Sequence, residues 1–342
     1  MVYDVPQERL SVSQELQVIA LGSSLVELTP RQTGADLTGA DEYLALPSGA
    51  ASNFAIALAR LGVRVGLVTR VGDDELGQWL LGKLHAFGVV TEGLAQAVTG
   101  QLTPVSFGWM DGLGGKSFYF YRFPGHCDPM RELRADELGP ELLGRARLFD
   151  FSEATVRHQP LRDTALQAAC TAREVGARVV YAVNYRAGSW DIPLQEVVAV
   201  QHQAFALADI AVMNREEAQL FTGATSAQTA AEAVADLGPT LIAITDGENG
   251  AYVYREGEMH HVLARQVPVA YDIGAGDTFH AGLVAAYLAG MDAPQMGRFG
   301  CDAAALRISG GADMSCLPTW AQTIRFGSSG HAPSEAAHLD LL

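Results

Sequence analysis

Lysine is almost missing from this chain: only Lys83 and Lys116 occur among its 342 residues. The 39 acidic residues outnumber the 23 basic ones and give a net charge of -16. Because nucleic acids are bound mainly through clustered lysine and arginine, this charge argues against a nucleic-acid partner. Any clamp for a phosphate or carboxylate must be built from arginine or from backbone N–H groups.

Cysteine pairs and long apolar runs are also missing. The four cysteines are scattered without a C-x-x-C pair, so a disulfide framework is not expected. No run reaches the roughly 18 apolar residues of a membrane span, and the start Met1-Val2-Tyr3-Asp4 lacks the basic-then-apolar order of a signal peptide. The sequence therefore predicts a cytoplasmic protein without a membrane partner.

Strand-like and helix-like segments alternate between residues 16 and 322. Short apolar runs predict buried strands at 16–21, 147–151, 178–183, 209–213 and 240–245. Helical periodicity occurs near 51–61, 76–87, 160–175, 226–237, 277–289 and 295–308. This alternation predicts an α/β protein with a doubly wound, mostly parallel sheet, which binds ligands at the carboxyl edge of its strands.

Two stretches break the alternation. Residues 29–48 and 99–126 are β-rich and punctuated by glycine, which predicts a small β lid inserted into the core rather than a second domain. An exposed apolar face on such a lid would favour a homodimer. Residues 1–15 and 327–342 are polar and aperiodic, as is typical of flexible termini.

A glycine-rich turn leads directly into a helix near residue 277. Gly274, Ala275 and Gly276 leave backbone N–H groups at the helix N-terminus, where the helix dipole favours an anion such as phosphate. Asp277 follows in the first turn, where it could accept a proton from a hydroxyl that attacks phosphorus. Taken on its own, this motif is explained about equally well by an ordinary tight turn in which Asp277 interacts with the helix dipole.

Three further motifs stand near predicted helix starts or strand ends. Asn53, close to Gly49, favours helix capping on its own, although an amide facing an opening would also suit a polyhydroxylated ligand. Glu217 could hold a hydrated Mg²⁺ on a nucleotide, and Thr245 with its turn amides could meet phosphate oxygens. Capping and turn chemistry explain these last two motifs about equally well.

Together and in this order, the motifs resemble the PfkB or ribokinase family of carbohydrate kinases over about residues 16–322. The matching patterns are Gly49-x-x-x-Asn53-x-Ala55, Asn214-x-x-Glu217, Thr245-x-Gly247-x-x-Gly250 and Gly274-Ala275-Gly276-Asp277. The closing segment 303–319 also resembles the family's last helix and its Gly-Ala turn beside the adenine. The resemblance implies a ribokinase-like, Rossmann-type domain that transfers the γ-phosphoryl group of ATP to a sugar hydroxyl with Mg²⁺.

The resemblance also implies roles for these residues. Asp277 would be the catalytic base, with Gly274 to Gly276 as the anion hole. Asn214 and Glu217 would organise Mg²⁺ and the phosphates. Thr245, Gly247 and Gly250 would lie along the nucleotide, and Gly49 and Asn53 beside the sugar.

The substrate side resembles fructokinases and 2-keto-3-deoxygluconate kinases. Glu27 follows the first strand, where relatives place an acid on sugar hydroxyls, and Arg122 and Asn184-Tyr-Arg186 match segments that face the sugar in those subgroups. Phe120 stands where keto-deoxy-acid kinases often have Tyr, and this part of the resemblance favours fructose as the acceptor. Two arginines in one pocket would also suit a keto sugar acid, either 2-keto-3-deoxygluconate or 5-dehydro-2-deoxygluconate.

Three positions depart from the family pattern. Ser48 replaces the first of two glycines, and Ala182 replaces the acid before Asn184. Tyr271-Asp-Ile stands where Asp-Thr-x usually precedes Gly-Ala-Gly-Asp, so Asp272 is one position out of register or belongs to a shortened turn. In relatives that acid helps to build a monovalent-cation site. The sequence therefore leaves potassium use open, and it also leaves open a non-catalytic homologue that binds nucleotide or sugar.

Overall fold

The computed structural model describes residues 16–32, 36–110, 116–121 and 128–329. The strands in this part of the chain are β1 Val18–Leu21, β2 Leu25–Pro30, β3 Tyr43–Ser48, β4 Val65–Gly72, β5 Ala95–Val98, β6 Val105–Met110, β7 Lys116–Tyr121, β8 Leu148–Ser152, β9 Arg178–Ala182, β10 Ile210–Asn214, β11 Leu241–Thr245, β12 Ala251–Arg255 and β13 Glu258–Val262. The helices are α1 Ala50–Arg60, α2 Glu75–Ala86, α3 Pro140–Leu143, α4 Glu153–Val156, α5 Leu161–Glu174, α6 Leu194–Leu207, α7 Arg215–Thr222, α8 Ala227–Ala235, α9 Ala275–Leu288, α10 Ala293–Ser309 and α11 Trp320–Ser329.

A nine-stranded sheet forms the centre of the molecule, in the order β13-β12-β11-β10-β9-β8-β1-β4-β5. The strands from β11 to β5 pair in parallel, and β12 and β13 add an antiparallel hairpin at one edge. Because β1 lies between β4 and β8, the chain winds outward from it in both directions. This confirms the doubly wound α/β architecture, and ligands bind such sheets beyond the carboxyl ends of their strands.

A separate four-stranded sheet has the order β3-β2-β6-β7. Only three residues separate its strand β2 from the end of β1, so it lies at the carboxyl edge of the large sheet. Its first strand starts at Leu25, four residues before the predicted lid segment at 29–48. That this sheet acts as a lid stays a prediction.

Several elements differ from the pattern read in the sequence, which predicts neither the strands β4, β5, β12 and β13 nor the helix α6. The apolar run of β4 is interrupted by Arg70, which is nevertheless buried, because its guanidinium donates to the Glu137 carboxylate and to the backbone oxygen of Leu94. Helix α11 extends to Ser329, so residues 327–329 are helical although the sequence predicted a flexible end from 327 onward.

Helix α9 is buried on almost every side, between α1 and α10. A Cβ atom on Gly282 would lie 2.9 Å from the Cα of Gly300 on α10, which is closer than real Cβ contacts. The two glycines therefore allow α9 and α10 to approach closely, and this fixes the helix that begins at the glycine-rich turn.

Candidate active site

A cavity of about 770 Å³ lies between the small sheet and the carboxyl edge of the large sheet. One wall comes from residues 23–131 and the other from residues 182–280, with a short contribution from 152–161. Most of the predicted site residues line this cavity, namely Glu27, Gly49, Asn53, Asn184, Arg186, Asn214, Glu217, Thr245, Gly274, Ala275, Gly276 and Asp277.

The N-terminus of α9 opens into this cavity. Gly274 adopts a left-handed conformation, with φ of 84°, and its carbonyl accepts a hydrogen bond from Thr278 N at 2.9 Å as α9 begins. A Cβ atom at Gly276 would meet nothing within 4 Å. This leaves room for a ligand to approach the backbone at the positive end of the helix dipole.

Asp277 is held by two amides that come from different parts of the fold. Asn53 Nδ2 donates to Asp277 Oδ2 at 2.9 Å, and Asn184 Nδ2 donates to Oδ1 at 3.3 Å. Burial raises the pKa of Asp277 above its ordinary value of 3.8, while the hydrogen bond from Asn53 and the charge of Arg186 lower it. The result is a fixed carboxylate beside the helix N-terminus, suited to accept a proton.

The capping role that Asn53 favoured in the sequence is wrong. The N-cap of α1 is Gly49, and no side chain caps this helix. Asn53 lies at the fourth position of α1 and points its amide at Asp277 instead. Gly49 has φ of 106°, and a Cβ atom there would lie 2.4 Å from the carbonyl oxygen of Ser23, so only glycine fits this start of the helix.

The Glu217 carboxylate accepts hydrogen bonds from the chain just after β9 and from the end of the neighbouring strand β10. Its Oε2 accepts a hydrogen bond from Asn214 N at 2.8 Å, its Oε1 accepts one from Tyr185 N at 2.6 Å, and Asn214 Oδ1 accepts one from Glu217 N at 2.8 Å. Asn214 and Glu217 therefore form a capping box at the start of α7. Burial raises the pKa of Glu217, and the two backbone donors lower it.

Among the described residues, no group of three or more His, Cys, Asp or Glu side chains could hold a metal ion. A Mg²⁺ ion bound with a nucleotide needs only one or two protein carboxylates, because phosphate oxygens and water fill the remaining positions. Glu217, in the cavity wall, fits that smaller requirement.

Two of the positions that depart from the family pattern meet at Glu27. Ser48 Oγ donates to Glu27 Oε2 at 3.0 Å, and the Tyr271 hydroxyl donates to Oε1 at 3.1 Å. Glu27 is 4% exposed, and its burial raises its pKa, while these two hydrogen bonds lower it. Ser48 and Tyr271 therefore complete the surroundings of an acid that reaches the cavity wall.

Two of the predicted residues that the structure describes do not line the cavity. Arg122 lies outside the described residues. Gly247 and Gly250 do not line the cavity. Gly250 has φ of 95°, and a Cβ atom there would lie 2.0 Å from the Val262 carbonyl oxygen, so this glycine allows the turn into the β12–β13 hairpin.

Several residues of the site were missed in the sequence. Arg131 and Arg157 line the cavity, and Arg157 pairs with the buried Glu153. His280, one turn after Asp277, lies 3.0 Å from the buried carboxylate of Asp150. Isolated residues in apolar or helical segments carry no spacing signal that would have identified them.

A model of the pfkB family of carbohydrate kinases matches residues 15–320. The chain is 31% identical to probable fructokinase-2 of Arabidopsis thaliana, over 78% of this chain and 80% of that protein. It is 26% identical to the 5-dehydro-2-deoxygluconokinase of Shouchella clausii strain KSM-K16, over 90% of this chain and 94% of that protein.

Solved structures give the same result. A fructokinase double mutant from Vibrio cholerae O395, determined with fructose, ADP and a potassium ion bound, superposes with a TM-score of 0.78 and 26% identity, over 92% of this chain and 99% of that chain. A putative ribokinase II from E. coli, determined with ATP and Mg²⁺, has a TM-score of 0.82 and 23% identity, over 92% of this chain and 100% of that chain. At that identity, the ribokinase II likeness supports the ribokinase-like fold alone. No described helix is both long and apolar enough to cross a membrane.

Proposed function

Because the chain belongs to the PfkB family of carbohydrate kinases, we propose that it transfers the γ-phosphoryl group of ATP to a hydroxyl of a monosaccharide, with fructose as the first candidate acceptor. The observation that carries this proposal is Asp277, held by Asn53 and Asn184 at the open N-terminus of α9. Relatives about 30% identical to the chain are named fructokinases, and this favours fructose.

The reaction follows from this arrangement. Asp277 takes the proton of the acceptor hydroxyl as the oxygen attacks the γ-phosphorus, the bond from phosphorus to the bridging oxygen breaks, and ADP leaves. The N–H groups of the 274–276 turn stabilise the negative charge on the transferred group. Mg²⁺, when bound, neutralises phosphate charge, and Glu217 and Asn214 are the residues proposed to organise it.

The remaining cavity residues divide between the two substrates. Glu27, Gly49 and Arg186 are proposed for the acceptor, together with Arg122. Thr245 is proposed for the nucleotide phosphates, and the turn containing Gly247 and Gly250 is proposed to lie along the nucleotide outside the cavity wall.

A keto sugar acid is the second candidate acceptor. Arg131 and Arg186 both line the cavity, and two guanidinium groups suit a carboxylate. The 5-dehydro-2-deoxygluconokinase relative matches more of this chain than the plant fructokinase does, although at lower identity.

The test is an ADP-release assay with ATP and Mg²⁺ against fructose, 2-keto-3-deoxygluconate, 5-dehydro-2-deoxygluconate, ribose, tagatose and adenosine. Turnover on fructose supports the first candidate, and turnover confined to a keto sugar acid supports the second. Binding of ATP by calorimetry without turnover on any acceptor would contradict the kinase proposal and favour a binding-only homologue. The homodimer and the cytoplasmic location stay predictions.

A further inference from the structure

The guanidinium of Arg307 is buried where two loops meet. Arg307 lies in the last turn of α10 and is 2% exposed. Its Nε donates to Ile273 O at 3.3 Å, Nη1 donates to Gly311 O at 2.8 Å and to Asp313 O at 3.4 Å, and Nη2 donates to Ala312 O at 3.3 Å. Four backbone carbonyl oxygens thus converge on one side chain.

Arg307 therefore fixes the turn that precedes the catalytic carboxylate. Ile273 comes directly before Gly274, and a Cβ atom on Gly274 would lie 3.8 Å from Arg307 Nε. The other carbonyls belong to the loop after α10. One charged group thus ties the entrance of α9 to the end of the neighbouring helix.

The surroundings of Arg307 suit a permanent positive charge. The ring of Tyr271 faces the guanidinium, whose carbon is 5.0 Å from the ring centroid, a distance at which a cation is attracted to an aromatic face. Burial lowers the pKa of Arg307, while Tyr271 and the Glu27 carboxylate raise it. An arginine stays protonated throughout the physiological range, so the charge is present at every working pH.

Converging carbonyl oxygens are the surroundings that replace the hydration shell of a potassium ion. Here those oxygens accept N–H hydrogen bonds from Arg307. Tyr271, the first residue of the 271–274 turn, places its ring against the guanidinium. The residues present therefore do not fit a potassium ion at this position, because the ion would meet a fixed cation and engaged carbonyls.

We infer that Arg307 is a built-in cation that positions the 271–274 turn, so that the protein works without potassium or any other monovalent cation. This inference rests on the proposed kinase function. Arg307 is a positioning residue, because it holds the turn through the Ile273 carbonyl and does not itself line the cavity.

The experiment compares wild type and Arg307→Ala in buffers whose only added monovalent cation is choline, potassium or guanidinium. Wild-type turnover and melting temperature are expected to be the same in choline and in potassium. For Arg307→Ala, we expect turnover to fall about tenfold or more, because hydrogen bonds to a charged group are lost. Guanidinium or potassium should recover part of that loss and should raise the melting temperature of the variant.

Arg70→Ala is the matched control. Arg70 is 3% exposed and also donates to backbone carbonyls, those of Thr69 and Leu94, but neither of these residues lines the cavity, whereas Ile273, a partner of Arg307, does. Its variant leaves Glu137 without its cation and should lose stability, but the monovalent cation should not change its turnover, because Arg70 holds no cavity residue. If guanidinium or potassium restores turnover to Arg307→Ala but not to Arg70→Ala, the charge of Arg307 positions the turn. General destabilisation alone would not produce this difference.

Two results would overturn the inference: activation or thermal stabilisation of the wild type by potassium relative to choline, or an Arg307→Ala defect that no cation reduces. If the wild type turns over no acceptor in any salt, the proposed function fails instead. The melting temperatures still decide the cation question in that case, because they do not depend on turnover.

Discussion

Replacing Asp277 by asparagine is the most direct test of the catalytic carboxylate. The change keeps the shape of the side chain but removes its ability to take a proton. Both oxygens of Asp277 accept hydrogen bonds from amides, at 2.9 Å from Asn53 and 3.3 Å from Asn184. In whichever orientation the new amide sits, its NH₂ group therefore faces another donor.

The expected fall in kcat follows from two changes: the side chain can no longer take a proton, and its new NH₂ group faces another hydrogen-bond donor. General base catalysis contributes about 10²–10⁴-fold to a rate, which corresponds to about 2.7–5.4 kcal/mol of barrier. The contact between the new NH₂ group and the amide donor of Asn53 or Asn184 also loosens the first turn of α9. We therefore expect Asp277→Asn to lower kcat by at least about 10²-fold. ATP affinity should change little, because neither change involves the residues proposed for the nucleotide.

The assay is ADP release at saturating acceptor, with ATP binding measured by calorimetry on the same preparation. Asp209→Asn is the control, because both oxygens of Asp209 also accept hydrogen bonds from N–H donors, those of Arg178 Nη1 and Val179 N, but Asp209 lies outside the cavity. It should keep wild-type kcat. If Asp277→Asn retained more than about a tenth of wild-type kcat, Asp277 would not be the general base.

Four further predictions follow. Burial raises the pKa of Asp277, and the deprotonated carboxylate is the active base, so kcat should fall at acid pH. The pH at the midpoint of this fall, the acid limb of the profile, should lie above 3.8, and a midpoint at or below that value would contradict the burial argument. Asn53→Ala should move this limb to higher pH, since it removes a donor to the ionised form, and an unchanged pH profile would refute that role. Gly250→Ala should lower the melting temperature, because the new Cβ would lie 2.0 Å from a carbonyl oxygen; Gly82→Ala, in helix α2 with no atom within 4 Å, should not. The exposed aromatic residues 119–121 on the edge strand β7 should support a homodimer in solution, and a monomeric mass by light scattering at all concentrations would contradict it.

Local sequence patterns predicted much of the fold. The five apolar runs that predicted strands correspond to β1, β8, β9, β10 and β11, with ends displaced by at most two residues. The glycine-rich turn into α9 is also predicted, because a left-handed residue before a helix is usually glycine, which is visible in the sequence. Both signals arise within a few residues of chain.

Residues that depend on distant partners could not be recognised in this way. The strand β4 was missed because it contains Arg70, whose partner Glu137 is 67 positions away. Arg307 resembles any single basic residue in an alanine-rich helix until the turn at 271–274 and the loop after α10 are brought around it. The two amides that hold Asp277 lie 224 and 93 positions from it.

The division of the cavity between residues 23–131 and 182–280 has a consequence for how new specificities arise in such a protein. In the proposed assignment, the first stretch mainly recognises the acceptor, and the second carries the phosphate chemistry. A hybrid that takes the segment before α5 from a relative would exchange the acceptor recognition and keep the phosphate chemistry of this chain. The hydrogen bonds from Asn53 to Asp277 and from Tyr271 to Glu27 cross that junction, so a viable hybrid must keep both pairs matched.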